Sequence, residues 1–243
     1  MTGSGQFCYD FHIHSCLSPC GDADMTPNNM VNMAKLNGLD AIAITDHNTC
    51  KNCGAAVKAG ERAGLLVIPG MELCTREEIH VICLFPDVER AESFAGFIYD
   101  RLPGIPNRSD IFGDQLVLDD MDRVTGSEEK MLLNAVDIGV DSVKALVSEY
   151  DGAAFPAHID KESYSILGVL GSIPPETGFF CAELSTLCER ERFLADHPEL
   201  SEFRFVVNSD AHYLWQISER EHSMSGEVSA GAILLSMNRQ KIL

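Results

Sequence analysis

The sequence predicts an α/β fold, a barrel of short parallel strands with a reactive rim, and three observations predict it. Apolar runs of strand length recur along the chain at Phe7–His14 (FCYDFHIH), Ala41–His47 (AIAITDH), Leu65–Glu72 (LLVIPGME), Ile79–Leu84, Ala153–His158 (AAFPAH) and Phe205–His212 (FVVNSDAH). They read as unbroken apolar runs more than as alternations, the pattern of strands covered on both faces. Each carries a His, Asp or Glu at or beside one end, which would put metal-ligating side chains on one rim of a parallel barrel.

After the first strand comes a loop, SCLSPCGDAD, then a helix over Met25–Asn37, with Thr26 as its cap, Pro27 in its first turn and Gly38 as its stop. Ala41–Thr45 is the second strand, Cys53–Ala63 a helix ended by Gly64, and Leu65–Pro69 the third strand. This spacing is that of βαβ units. Ile79–Leu84 is a fourth strand, and Val88–Leu102 a helix bounded by Pro86 and Pro103. Residues 103–140 break the pattern with Pro103, Pro106, Gly113 and an acidic cluster at Asp119, Asp120 and Asp122. They read as an insertion, either a lid over the site or a solvated excursion. Beyond it, Asp141–Tyr150 is a helix, Ala153–His158 the fifth strand, Cys181–Leu184 the sixth, Glu189–His197 a helix and Phe203–Asn208 the seventh strand. Ala230–Met237 is apolar enough for a strand or a helix.

The chain has 243 residues, 45% of them apolar, enough for one main domain spanning residues 1–243. A formal net charge of −19 argues against the basic footprint of a duplex-DNA binder or of a protein held on an anionic membrane. It leaves room for a small anionic substrate, because bound divalent cations reverse the local field. Nine cysteines, an odd number, with no signal-like segment and no apolar run of membrane-spanning length lead us to expect reduced thiols and a cytoplasmic location.

Strand side chains alternate, so His12 and His14 project to one face and can share one ion. Asp210 and His212 repeat that spacing. Six of the eight histidines, His12, His14, His47, His80, His158 and His212, stand at strand ends; only His197 and His222 do not. The motifs DFHIH, ITDHN, GMEL, HVICLF, PAHID and NSDAH, in this order over nearly the whole chain, resemble the PHP (polymerase and histidinol phosphatase) family of metal-dependent phosphoesterases.

The resemblance implies a distorted (β/α)7 TIM-like barrel with two to three divalent ions, zinc, manganese or iron, on its C-terminal rim. Carried onto matching positions, it gives His12, His14 and Asp210 to a first ion, with Glu72 bridging to a second that His80 and His158 complete. His47 and His212 would hold a third. A bridging carboxylate sets two ions roughly 3.5–4 Å apart, as in two-metal phosphoesterases. Many relatives place an aspartate soon after the first H-x-H, in a segment of the type HSxxSDG, where this chain reads HSCLSPCGDAD. Asp22 is the choice for that ligand, with Cys20 and Asp24 as rivals, and Asp46 is expected beside the ligands as a hydrogen-bond acceptor or helix cap.

Cys16 and Cys20, with Cys50 and Cys53, give CxxxC and CxxC on the first two loops, spacings that suit zinc, an iron–sulfur cluster or a redox pair as well as plain buried thiols. Arg76 and Lys161 fall on rim loops and are the candidates for holding a phosphate. Tyr213 and Trp215 are the aromatic pair closest to a ligand motif. The resulting expectation is hydrolysis of a phosphomonoester, a nucleotide or a short RNA, with Asp210 accepting the nucleophile's proton and then serving as the acid. The alternatives are a metal-binding module without turnover and a cysteine-based metal or redox sensor.

Overall fold

Local sequence signals set the element ends in the computed structural model, which describes residues 5–239. β1 (Gln6–Ile13) leads to α1 (Pro27–Leu36), whose Thr26 side chain accepts the Asn29 N–H. β2 (Ala41–Ile44) follows, then α2 (Cys53–Ala63), closed by Gly64 at φ 66°, a backbone conformation suited to glycine. β3 (Leu66–Cys74), β4 (His80–Leu84) and α3 (Val88–Tyr99) come next. Residues 103–140 hold α4 (Ser109–Phe112) and a hairpin, β5 (Leu116–Leu118) with β6 (Val124–Ser127). The chain then forms α5 (Val140–Ser148), β7 (Ala153–Pro156), α6 (Ile166–Leu170), β8 (Cys181–Ser185), α7 (Arg190–Asp196), β9 (Arg204–Asn208), β10 (Ser223–Ser225) and α8 (Ala230–Asn238). The apolar tail is thus a helix. Residues 1–4 and 240–243 of the expected 1–243 span lie outside the described residues.

The main sheet is mixed, in the order β10-β1-β2-β3-β4-β7, and β8 and β9 form a separate parallel pair. β1, β2 and β3 are parallel. The expected run of parallel βα units breaks at β4, which pairs antiparallel with both β3 and β7. The cause is the connection: residues 75–79 are too few for a crossover helix, so the chain turns back on itself. The β8–β9 pair lies between β7 and β1 without a continuous ladder to either. Side chains bridge the seam at β1, where the Asn208 Oδ1 accepts the Phe11 N–H at 2.8 Å and the Tyr9 hydroxyl accepts the Val207 N–H at 3.3 Å. The architecture is therefore a curled mixed sheet with a closing pair, an α/β fold short of a complete (β/α)7 barrel.

Two apolar layers sandwich the sheet. Phe7, Tyr9, Phe11, Ile68, Ile82 and Phe155 fill the inside of the curl, with Ile233, Leu234 and Met237 of α8 packed among them. Cys8 and Ile13 belong to the outer layer beneath the helices. They lie an odd number of residues apart, so strict alternation would put them on opposite faces. The pairing register of β1 shifts between Asp10 and Ile13, and that irregularity changes the parity. His12 and His14 thereby continue the inward-facing set begun by Phe7, Tyr9 and Phe11.

Residues 103–140 lie over the first two rim loops. Asn52 donates to the Leu116 carbonyl and accepts from Leu118, Asp122 receives Thr26 Oγ1 at 2.7 Å, and Lys51 pairs with Glu128.

Candidate metal centre

The backbone accounts for the meeting of distant residues. His12 and His14 leave the end of β1; His47 extends β2 as a bridge to Glu72; His158 follows β7, and Asp210 and His212 follow β9. His80 is the first residue of β4, and because that strand is antiparallel its beginning reaches the rim where its neighbours end. Two of these residues hold backbone conformations unusual for a side chain, His158 at φ 30° and Asp210 at φ 54°. Such strain costs on the order of 1–3 kcal/mol and persists where the surroundings fix it, often at functional sites.

Glu72 is the hub. Its Oε1 lies 2.8 Å from His80 Nδ1 and 3.3 Å from both His12 Nε2 and His158 Nε2, while Oε2 lies 3.0 Å from His47 Nδ1 and 3.3 Å from His14 Nε2. Asp210 Oδ1 is 3.3 Å from the Nε2 atoms of both His12 and His14. Ligand-type atoms fall into three groups, each within 4.8 Å: His12, His14 and Asp210; His47, Glu72 and His80; and His14, Cys20, His47 and His212. Both Glu72 carboxylate oxygens and His47 Nδ1 are closed to solvent yet have no partner in hydrogen-bonding geometry. Buried acceptors left this way are expensive unless a cation meets them, so the donor set fits divalent metal.

The electrostatics are those of an anionic pair inside a ring of imidazoles. Burial opposes ionisation of Glu72, but His80, His12 and His47 outweigh it and hold the carboxyl well below its usual range. Asp210 is likewise lowered, burial being outweighed by His12 and His14. His14 is raised to about 9, because Asp210 and Glu72 overcome its burial, and His12 is raised well above its ordinary value by Glu183, Glu72 and Asp210. Burial pushes His47 down to about 3 and His212 down to about 4, with His14 adding to both shifts.

A second set of groups orients these side chains. His12 Nδ1 lies 3.0 Å from Glu183 Oε1, whose carboxylate also accepts the His158 N–H at 3.0 Å and Asn208 Nδ2 at 2.6 Å. Asp46 accepts Ser15 N–H at 2.8 Å, Ser15 Oγ at 2.6 Å and Ser18 Oγ at 2.7 Å; Ser18 Oγ in turn meets His14 Nδ1 at 3.0 Å. Asp46 thus acts on His14 through a serine, and caps the first loop rather than a helix. Glu183 was missed from the sequence. Its signal is a lone acid inside the apolar run CAELS, which a strand interior tolerates only with partners. Glu183→Gln is expected to weaken ion binding about 10–100-fold, the usual cost of losing such an orienting partner. Competition against a chromogenic chelator would read it, and unchanged affinity would remove Glu183 from the centre.

Some candidates do not reach the cluster. Asp22 belongs to none of the three groups; its Oδ1 accepts the Asp24 N–H at 2.9 Å within its own loop, and Cys20 stands where Asp22 was expected. Arg76 is exposed, paired with Asp137 at 2.7 Å, and does not line the cavity. Lys161 does arrive, with Nζ 2.7 Å from Asp210 Oδ2. Cys50 and Cys53 are buried and point their sulfurs at the Gly70 carbonyl, and neither they nor Cys16 join a ligand group among the described residues. Trp215 and Tyr213 stack on each other outside the cavity.

The centre opens into a cavity of about 460 Å³, to which residues 103–140 contribute only Leu133. Tyr164 stands in its wall, half exposed, with its ring stacked on His80 at a centroid distance of 4.7 Å.

The PHP domain profile matches residues 10–171. A 5'-3' exoribonuclease of Haemophilus influenzae is 33% identical over 79 residues, which is 31% of this chain and 28% of that one. Alignments with the curated relatives span 28–54% of their lengths. Among solved structures, a lesion-specific endonuclease from Pyrococcus furiosus superposes with a TM-score of 0.67 at 16% identity, covering 96% of this chain and 56% of that one. A putative metal-dependent phosphoesterase from Bifidobacterium adolescentis gives 0.60 at 18% identity, with 90% and 92% covered. At these identities the structural likeness speaks for the fold, while the profile match over most of the strands that build the rim shows that the chain belongs to the PHP domain family.

Proposed function

We propose that this protein is a metal-dependent phosphoesterase that hydrolyses a phosphomonoester or the terminal phosphodiester of a short oligonucleotide. The observation that carries the reading is Glu72, buried among five imidazoles with both oxygens lacking hydrogen bonds. His12, His14 and Asp210 would hold one divalent ion and His80 and His158 a second, with Glu72 between them; His47 and His212 belong to a third. When bound, such ions polarise a phosphoryl group and bring the pKa of bound water to near 7.

The chain's own groups supply the rest. Asp210 is kept ionised by His12 and His14 in the ion-free chain, and its place in the cavity wall, not that lowered pKa, fits it to take the proton of an attacking water. Its Oδ2, the oxygen facing Lys161, is the atom for that step, and it can return the proton to the leaving oxygen. Lys161 Nζ neutralises a phosphoryl oxygen at the cavity wall. The Tyr164 ring offers a stacking surface for a base, which together with the exoribonuclease relatives favours a nucleotide or short RNA. Among the described residues no helix is long and apolar enough to cross a membrane.

The test is elemental analysis of the purified chain, then restoration of zinc, manganese or iron singly and a screen of phosphomonoesters, short single-stranded RNAs and duplex DNA. Turnover that chelation abolishes and Asp210→Asn depresses is expected. Bound ions with no turnover on any phosphoester would leave a structural metal module instead.

A further inference from the structure

We propose that Cys20 is a thiolate ligand of the third ion, with His47 and His212, making that position a thiophilic site distinct in metal preference from the two beside it. The inference rests on the metal-dependent reading above, but its test reads ligation and not hydrolysis, so either can fail while the other stands.

Four side chains bring ligand atoms within 4.8 Å of one another here: His14, Cys20, His47 and His212. His14 Nδ1 is engaged by Ser18 Oγ, so its free atom is Nε2, the atom that also faces Asp210 and Glu72. One lone pair serves one ion. With His14 committed to the first ion, the third is left with Cys20, His47 and His212. His212 is already set for this, because its Nδ1 lies 2.8 Å from the Asp210 carbonyl and leaves Nε2 to coordinate. His47 is almost wholly buried, and its Nδ1 has no partner in hydrogen-bonding geometry. All three residues line the 460 Å³ cavity. Three protein ligands with a coordination position open to a cavity is the arrangement of a catalytic metal, as opposed to a closed structural one.

The loop presents the sulfur by construction. Ser18 N–H donates to the Ser15 carbonyl at 3.1 Å and Gly21 N–H to the Ser18 carbonyl at 2.9 Å, two successive turns. A Cβ at Gly21 would overlap the Ser15 carbonyl, so the second turn closes this tightly only on glycine. Asp46 clamps Ser15 and Ser18 from just beyond the end of β2, and the Asp22 N–H donates to the His212 carbonyl at 2.9 Å. The loop that carries Cys20 is therefore tied through Asp22 to the segment carrying His212, while the Asp22 side chain turns back into the loop. On binding, the thiol gives its proton to solvent and the sulfur becomes the anionic ligand. A thiolate favours zinc, iron or cobalt(II) over manganese or magnesium.

The full chain, stripped of metal and loaded with cobalt(II), is expected to show a near-ultraviolet thiolate-to-cobalt charge-transfer band. Cys20→Ser should abolish the band and lower the bound ion count by one. Cys16→Ser and Asp22→Asn should keep both. Cys20→Asp, which preserves an anionic ligand should the serine variant fail to fold, is expected to retain the ions without the band and to lower the zinc-over-manganese preference about tenfold or more. A loaded wild-type chain with no such band, or a band that survives Cys20→Ser or Cys20→Asp, would overturn the assignment.

Discussion

Glu72→Gln is expected to leave the purified protein short of bound ions and to cost the ion-free chain about 3–5 kcal/mol, the scale on which removal of one partner from a buried charged cluster destabilises a fold. The amide keeps the shape of the carboxylate, so packing stays the same and only charge and lone pairs change. Five imidazole nitrogens lie 2.8–3.3 Å from its two oxygens. In the absence of ions His12 and His14 are both held protonated, with their Nε2 atoms 3.1 Å apart. Without Glu72 a main attraction holding these two imidazoles charged is gone, and Asp210 and Glu183 are left to offset them or one imidazole gives up its proton on folding. In the presence of ions the same change removes the group placed to bridge two of them. Elemental analysis and thermal unfolding in metal-free buffer measure the two effects separately. A variant with full ion content and an unmoved unfolding midpoint would show that Glu72 is not the hub.

What the sequence made legible follows from how little backbone each feature depends on. An H-x-H at a strand end needs only the alternation of a strand, and each remaining cluster residue, from His47 to His212, stands within a few residues of an apolar run that had no other way to be buried. The geometry brings all of them together. What was illegible depended on partners far away in sequence. The antiparallel course of β4 follows from the five-residue connection after Cys74, and an apolar run reads the same in either direction. Glu183 lies 171 residues from His12, so the contact between them has no local signature. That Cys20 and not Asp22 lines the cavity turned on two successive turns closed by Gly21, where a shift of two residues changes which side chain faces it. Arg76 was placed correctly on a rim loop, but nearby Asp137 provides it with a surface partner.

Chelation is expected to have the other large effect, and to invert how stability depends on pH. Each site filled at 100 times its dissociation constant contributes about 2.7 kcal/mol, so stripping several ions should lower the unfolding midpoint steeply. In the ion-free chain His14 titrates at about 9 against an ordinary value of 6.5, and His12 is shifted the same way. A raised folded pKa gives stability that is complete below the unfolded value and is lost as pH climbs through the folded one. Stability in chelator should therefore decline from about pH 6.5 to 9. Glu72 and Asp210 are ionised throughout that window, and His47 and His212, neutral in the fold but titrating near 6.5 when unfolded, offset the decline at its lower edge only, so the slope is steepest above about pH 7. With ions present the sign changes, because the same imidazoles bind metal only after losing their protons, and affinity rises as pH does. Thermal unfolding across this range, with chelator and with added zinc, should give curves of opposite slope. Parallel curves would mean that protons and metal do not compete for His12 and His14, and the cluster would then be something other than a metal centre.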